Sequence, residues 1–192
     1  MTHIFKTKGV FIAVIVVAVV ALILCAMVAF EWYPIGIVEG NLLFAREYHA
    51  RYELAYNYYD ALSKASQASA DEQDLEYTLR AASIEAMIDD VFVAKKLEQD
   101  FGRKELKTKI EQRIEEAWSD EQLRNDLQTL LKVSDSRIKS YFIAEQARYE
   151  LLNGQLSLEG KNLFEWMDEQ RKSARVKLFL KGFTWTQDGV TI

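Results

Sequence analysis

The residues of this sequence that could do chemistry are two adjacent acids, Asp89 and Asp90, and a histidine, His49, with glutamates nearby. Paired carboxylates can act as general acid and base, and a histidine beside acids can ligate a metal. However, successive residues of a helix point about 100° apart, so Asp89 and Asp90 do not converge on one point. Their spacing favours a solvated or helix-pairing role over a catalytic one.

His49 has two acidic neighbours at close spacing, Glu47 and Glu53, of which Glu53 lies four residues on and shares its helical face. Two ligands do not make a zinc site, which needs three or four. The segment 36–40 contains two glycines but lacks the Lys-Ser/Thr that follows a phosphate-binding loop. No serine lies in a nucleophile elbow. We therefore predict a protein that is not an enzyme and binds no metal or cofactor.

A run of tyrosines between residues 48 and 59 offers a different kind of surface. One set of residues steps by three or four and so forms one face of a helix, which we predict to pack in or beside the core: Tyr48, Tyr52, Ala55, Tyr59 and Leu62. Tyr56 and Tyr58 lie off this stripe and are predicted to be exposed. Because aromatic rings with a polar tip bind varied apolar segments, we predict Tyr56 and Tyr58 to be polypeptide-binding residues.

These side chains must be positioned mainly by helices, since the chain has one proline, eight glycines and a composition rich in helix-forming residues. Apolar periodicity predicts helices over 42–62, 74–101, 103–118 and 160–173, with a loop at 63–74 and with Gly102 as the stop of the second of these helices. A capping box at Ser119 and Gln122 predicts the start of another helix, and a further helix is predicted from Ser134 to a stop at Asn153-Gly154.

Short strands are predicted near both ends of the helical region. Residues 35–38 form one candidate, and apolar residues alternate with lysines from Val176 onward, before a turn signal at 187–189. Because each run is too short to be stable alone, we expect the two ends to pair in a small sheet. Phe92 and Trp166 are predicted to lie in the core.

Residues 10–30 form a continuous apolar stretch without a charge. As a helix it would extend roughly 31 Å, about the thickness of a bilayer's hydrocarbon core, which predicts a transmembrane helix. Lys6 and Lys8 precede the stretch and Glu31 follows it. The positive-inside rule then predicts a cytoplasmic N-terminus (1–9), a single-pass anchor in the inner membrane (10–30) and an exported domain (31–192).

Two other kinds of N-terminal segment fit this stretch less well. A cleaved signal peptide has an apolar region of about 7–15 residues and a small-x-small cleavage site, and neither condition is met. A lipoprotein anchor at Cys25 requires a small residue before the cysteine, where this chain has Leu24. A retained anchor is the favoured interpretation.

The charge balance of residues 31–192 excludes some partners. Two of the 24 basic residues precede the apolar stretch, leaving 22 against 29 acids and a net charge near −7. This sign argues against nucleic acid, whose phosphates need a basic surface. The same region contains no cysteine, so packing rather than disulfides must stabilise it.

Four segments, at 37–43, at 81–102, at the cap 131–134 that precedes a helix, and at 172–176, resemble the chaperone module of SurA-type and PpiD-type periplasmic chaperones. Segment 37–43 (IVEGNLL), followed by Tyr48, is similar to that family's strand–turn–helix opening. Segment 81–102, with Met87-Ile88-Asp89-Asp90 and a glycine stop, is similar to its next helix, and 172–176 to its closing helix-to-strand passage. Two positions depart from the pattern: Glu39 replaces the usual Asn, and Phe44 stands where a Ser or Thr would cap the first helix.

The resemblance implies a mainly α fold, in which an N-terminal transmembrane helix precedes a multi-helix SurA-N-like domain with a small terminal β-sheet. The family's parvulin-type prolyl isomerase domain has no room here, and the chain's histidines are His3 and His49. The implied function is a membrane-anchored, ATP-independent extracytoplasmic holdase that binds unfolded or newly translocated polypeptides. The alternative is a membrane-tethered subunit of a translocation or envelope complex, with one fixed partner.

Overall fold

The computed structural model of the protein describes the backbone of residues 3–66 and 72–191 and the side chains of residues 15–64 and 73–191. In chain order, its elements are α1 (His3–Ala29), β1 (Pro34–Val38), β2 (Asn41–Phe44), α2 (Ala45–Ser66), α3 (Glu72–Phe101), α4 (Arg103–Ser119), α5 (Glu121–Leu131), α6 (Asp135–Ile138), a π-helical turn (Lys139–Ile143), α7 (Ala144–Leu158), α8 (Leu163–Ser173), β3 (Val176–Leu178), β4 (Thr184–Thr186) and β5 (Gly189–Thr191). The fold is mainly helical, with small sheets.

The strands near the two ends of the helical domain pair, as the sequence predicted. β1 is the central strand of an antiparallel sheet with the order β2–β1–β3, and Val38 pairs with Asn41 on one side and with Val176 on the other. The hairpin between β1 and β2 turns at Glu39 and Gly40, whose φ angles are 49° and 85°. Two residues with positive φ produce the turn that matches the twist of antiparallel strands.

The first predicted helix begins later than expected. The sequence indicated helix from residue 42, but Asn41–Phe44 forms β2, and α2 begins at Ala45. Pairing with β1 buries Leu43, and the Ala45 amide donates a hydrogen bond to the Tyr33 carbonyl. α2 then continues to Ser66 and α3 begins at Glu72, so the predicted loop at 63–74 is partly helical and partly outside the described residues, at 67–71.

Two predicted helix ends are also corrected. The cap of α5 is Asp120, whose carboxylate accepts from the Leu123 amide at 3.0 Å, while the Ser119 hydroxyl donates to the Glu116 carbonyl. Asn153-Gly154 does not end a helix, because α7 continues to Leu158. Leu152 and Leu156 lie one turn apart and are fully buried, and this packing stabilises the helix across Gly154.

The described side chains form three apolar core clusters. The first lies between the sheet and α3, the second among α3, α4, α7 and α8, and the third among α2, α5, α6 and the π-helical turn. Phe92 belongs to the first cluster and is 4% exposed, as predicted. Trp166 is half-buried and packs against both the first and the second clusters, so it bridges them from their edge.

The predicted membrane anchor is contradicted. Among the residues whose side chains the structure describes, no helix is long and apolar enough to cross a membrane. This finding contradicts two predictions: the N-terminal transmembrane helix of the fold class and the single-pass localisation in the inner membrane.

Candidate functional site

A groove of about 210 Å³ opens between α2, α3 and the π-helical turn. Its walls are mostly apolar side chains: Leu54, Ala55, Tyr58, Ala82, Ala86, Leu131, Tyr141 and Phe142. Three of these residues are alanines on α2 and α3, and their small side chains leave the space that larger ones would fill. The sequence therefore forms an open hollow at a place where two long helices pack.

The π-helical turn brings two consecutive aromatic residues to this groove. Successive residues of an α-helix point about 100° apart, but a π-helical turn contains an additional residue and changes which side chains share a face. Tyr141 and Phe142 both line the groove, and Phe142 is 40% exposed. The sequence predicted an uninterrupted α-helix here, so this feature was missed. Single π turns occur frequently at functional sites.

The two predicted polypeptide-binding tyrosines occupy different places. Tyr58 lines the groove and is 44% exposed. Tyr56 is equally exposed, at 44%, but its ring lies 6.2 Å from that of Tyr52, which in turn lies 6.4 Å from that of Tyr48. Tyr56 thus continues a series of rings along α2 and is not among the residues that line the groove. The structure places only Tyr58 at the candidate site.

An ion-pair network lies at the polar end of the groove, around Arg51. The Arg51 side chain is 4% exposed, and its terminal nitrogens donate to Glu145, to Glu47 at 3.1 Å and to Asp90 at 3.0 Å. Arg148 donates two further hydrogen bonds to Asp90, at 2.7 and 3.0 Å. The network joins α2, α3 and α7, and therefore fixes the helices that form the groove.

Burial and charge act against each other in this network. Burial raises the pKa of Glu145, and the nearby Arg51 guanidinium opposes that shift. Burial lowers the pKa of Arg51, but Glu145, Asp90 and Glu47 more than offset this, so its pKa is raised overall. Arg51 remains a cation, and its guanidinium carbon lies 5.9 Å from the centre of the Tyr141 ring, within cation–π range.

One donor of Arg51 has no partner. The buried Nε–H has no hydrogen-bond acceptor among the described residues. Buried donors are normally satisfied, so this one is an exception among the described residues. This donor could not be predicted from the sequence, because its surroundings depend on residues up to 94 positions away from Arg51.

The structure does not bring the side chains of Asp89, Asp90 and His49 to one site. Asp90 pairs with Arg51 and Arg148, whereas Asp89 points to α8 and accepts two hydrogen bonds from Arg171. This is the helix-pairing role that the sequence favoured. The His49 ring packs at 5.1 Å from the Tyr48 ring. Among the described residues, no three His, Cys, Asp or Glu side chains are grouped so that they could hold a metal.

A second apolar hollow, of about 330 Å³, adjoins the groove. It is lined by Trp32, Phe44, Arg46, Glu47 and Tyr141, and Tyr141 also lines the groove. Trp32 is 58% and Phe44 39% exposed. Tyr141 is therefore shared by the two hollows, and each hollow has an exposed aromatic ring in its lining.

No protein-family model matches this chain, and no curated protein or solved structure is detectably similar to it. The resemblance to the SurA-type chaperone module stays a prediction from its motifs. The geometry of the groove is therefore the main basis for a proposal of function.

Proposed function

We propose that this protein is an ATP-independent holdase that binds apolar segments of unfolded polypeptides in the groove and the adjoining hollow. The observation that carries the proposal is the open apolar groove with the exposed rings of Tyr58 and Phe142 in its wall. Exposed apolar surface of this kind marks interaction sites, and aromatic residues contribute strongly to binding at protein interfaces.

The dimensions of the surface favour a polypeptide over a small molecule. The groove of about 210 Å³ is smaller than the roughly 300–1,000 Å³ of small-molecule sites, whereas the second hollow, which shares Tyr141 with the groove, has about 330 Å³ and lies at the lower end of that range. Consecutive hollows suit consecutive side chains of one extended segment. The half-exposed rings provide contact area at low entropic cost, as binding to varied sequences requires.

A fixed-partner interaction subunit is the second candidate. The ion-pair network of Arg51, Asp90 and Arg148 holds α2, α3 and α7 in one arrangement, and a preformed surface favours one complementary partner. Breadth of binding separates the two functions. A holdase suppresses aggregation of several unrelated denatured proteins, whereas a subunit co-purifies with one protein at fixed stoichiometry and has no effect on aggregation.

The chain offers a matched pair of variants to test the groove. Tyr58 and Tyr56 have the same side chain, lie on the same helix and are equally exposed, but only Tyr58 lines the groove. We expect Tyr58→Ser to weaken binding of a denatured client by about 1–2 kcal/mol, roughly five- to thirty-fold, because it removes an interface aromatic. Tyr56→Ser should leave affinity unchanged.

Both substitutions are at half-exposed positions, so the free energy of unfolding should change by no more than about 0.5 kcal/mol in either. Affinity is measured by titration of the full chain with a reduced, denatured client, and stability by chemical denaturation. Equal losses of affinity in the two variants would place the binding surface along the ring series of α2. Unchanged affinity in both would remove the groove from the proposal.

A further inference from the structure

We infer that the main chain of a client adds to the sheet as a further strand: an extended segment of polypeptide pairs with the outer edge of β2, in a cleft that the strand shares with α3. This inference deepens the proposed function and rests on it for the identity of the ligand. It adds a contact with the main chain of the client to the apolar contacts already proposed.

The hydrogen bonds of β1 establish which of its main-chain groups face which neighbouring strand. The Glu39 amide donates to the Arg175 carbonyl at 3.0 Å, and the Phe179 amide donates to the Ile35 carbonyl at 2.8 Å. Both bonds lie on the side of β3. Because the main-chain groups of successive residues point to opposite edges of a strand, Val38, one residue before Glu39, faces β2.

The same alternation leaves the main chain of Leu42 facing outward. Asn41 pairs with Val38 and therefore faces β1, so the next residue, Leu42, directs its N–H and C=O away from the sheet. Leu42 is 49% exposed, and within residues 3–66 and 72–191 no group outside the sheet forms a hydrogen bond with it. An unpaired donor and acceptor at the edge of a sheet are the groups that an added strand uses.

An open cleft of about 400 Å³ borders this edge, and Asn41, Leu42 and Leu43 all line it. Successive side chains of a strand point to opposite faces, so a space that contacts three residues in a row lies at an edge of the strand. β1 occupies the inner edge of β2, so the cleft lies at the outer edge, with Val91 and Ala94 of α3 also in its lining. The cleft is therefore where an added strand, about 4.8 Å from β2, would lie.

β2 lacks most of the features by which proteins protect a free edge. The strand is short, but Asn41–Phe44 contains no charge and no proline, and Leu42 and Phe44 are 49% and 39% exposed. Phe44 also lines the second hollow, and Glu47 lines both that hollow and the cleft. A segment paired with β2 is therefore next to the second hollow, which suits one of its apolar side chains.

The charges of the cleft favour an uncharged ligand group. Glu98 pairs with Arg103 at 3.1 Å. Glu47 and Asp90 both pair with Arg51. A ligand carboxylate or phosphate would add to a surplus of acid, whereas a peptide group adds no charge. The cleft therefore fits an internal segment of polypeptide. Three acids and two bases line it: Glu47, Asp90, Glu98, Lys95 and Arg103.

The test measures hydrogen exchange of single amides in the full chain, with and without a capped heptapeptide of alternating threonine and valine around one central phenylalanine. The Leu42 amide should exchange rapidly in the free protein, and saturating peptide should slow its exchange about ten-fold or more, because the added strand accepts its hydrogen bond. The Leu43 amide is the internal control. It faces β1, so its exchange should be slow with or without peptide.

N-methyl groups on the peptide test the pairing from the ligand's side. Each variant peptide lacks one N–H, and affinity is measured by calorimetric titration into the full chain. We expect methylation of one central residue to weaken binding about three- to ten-fold, since one hydrogen bond is lost. Methylation of the residues directly before and after it should change affinity less than about two-fold, because their N–H groups point to the other edge.

Two variants at Leu42 separate its N–H from its side chain. Leu42→Pro removes both, and an edge strand tolerates proline where the N–H faces away from the sheet. Leu42→Ala is the matched control, because it removes most of the side chain and keeps the N–H. Leu42→Pro should bind the peptide about three- to ten-fold more weakly than Leu42→Ala does. If Leu42→Pro does not fold, the exchange of the Leu42 amide in the unmodified chain still decides.

The outcomes separate this inference from the proposed function. If denatured clients and the peptide bind but the Leu42 amide exchanges as fast as in the free protein, strand addition is refuted and the holdase stands. If the Leu42 amide is protected without peptide, and more so as the protein concentration rises, the edge pairs with a second copy and its assignment to a client is wrong. If neither client nor peptide binds, the proposed function fails and this inference fails with it.

Discussion

Asp89 and Asp90 are adjacent in α3 but hold different helices. Asp89 accepts two hydrogen bonds from Arg171 of α8, and Asp90 is shared by Arg51 of α2 and Arg148 of α7. Forked guanidinium–carboxylate pairs fix geometry well. Their net stabilisation is small, because desolvation of the charges offsets their attraction. At this point of α3, two acids therefore determine orientation, while apolar burial provides most of the stability.

Phe92 provides a direct test of that division. It is 4% exposed and packs in the cluster between the sheet and α3. We expect Phe92→Ala to lower the free energy of unfolding by about 3–5 kcal/mol through lost transfer energy and a cavity. Phe164→Ala is the control at a position that is 82% exposed, with an expected change within about 0.5 kcal/mol. Chemical denaturation measures both, and a small loss at Phe92 would show that its environment is not core.

At the scale of elements, the start of α5 distinguishes two possible caps. Asp120 accepts from the Leu123 amide, whereas the Ser119 hydroxyl bonds back to the Glu116 carbonyl of α4. We expect Asp120→Ala to destabilise the protein by about 1 kcal/mol, the usual effect of losing a cap, and Ser119→Ala by less than about 0.5 kcal/mol. The reverse order, measured by thermal or chemical unfolding, would support the capping box predicted from the sequence.

Helix ends show which part of the fold the sequence could predict. Gly102 was recognised as a stop, and it adopts a φ of 73°, which glycine tolerates best. Asn153-Gly154 carries the same local signal but lies within α7. There the buried Leu152 and Leu156 maintain the helix, and the left-handed glycine is Gly160. Local chemistry predicts a stop only where no tertiary packing opposes it.

The groove was predictable only in part, for a related reason. Tyr58 could be selected because it lies off an apolar stripe. Tyr56 satisfied the same criterion, and only the ring series of Tyr48 and Tyr52 shows that it lies elsewhere. The π-helical turn and the contact between Arg51 and Glu145 have no local signature, since they depend on how α2 and α7 meet.

At the scale of the whole molecule, the C-terminal strands complete the first core cluster. Val176, Leu178, Trp185 and Val190 pack against it, next to the fully buried Ile35 and Val38 of β1. The Val190 amide also donates to Glu85 of α3 at 2.8 Å, which holds the β4–β5 hairpin on that helix. The strands near the two ends of the helical region thus shield a large part of the first core cluster from solvent.

A chain that stops after Ser173 should therefore be severely destabilised. Removing residues 174–192 exposes Ile35 and Val38, now 1% and 0% exposed, together with neighbouring apolar surface. We expect a loss of stability larger than the roughly 3–5 kcal/mol of a single core truncation, and loss of one cooperative transition. Hydrogen exchange of the β1 amides and thermal unfolding measure this. Wild-type protection of β1 would mean that α3 and β2 suffice to hold it.

The pairing of β1 with β3 also has a consequence during synthesis. Val38 finds its partner Val176 only after the ribosome has added 138 further residues. At about 5–20 residues per second, one edge of β1 stays open for roughly 7–28 s, whereas α2 to α7 can form from local contacts as they emerge. An open strand edge can pair with another chain. Until β3 emerges, the nascent protein therefore resembles the unfolded clients that we propose it binds.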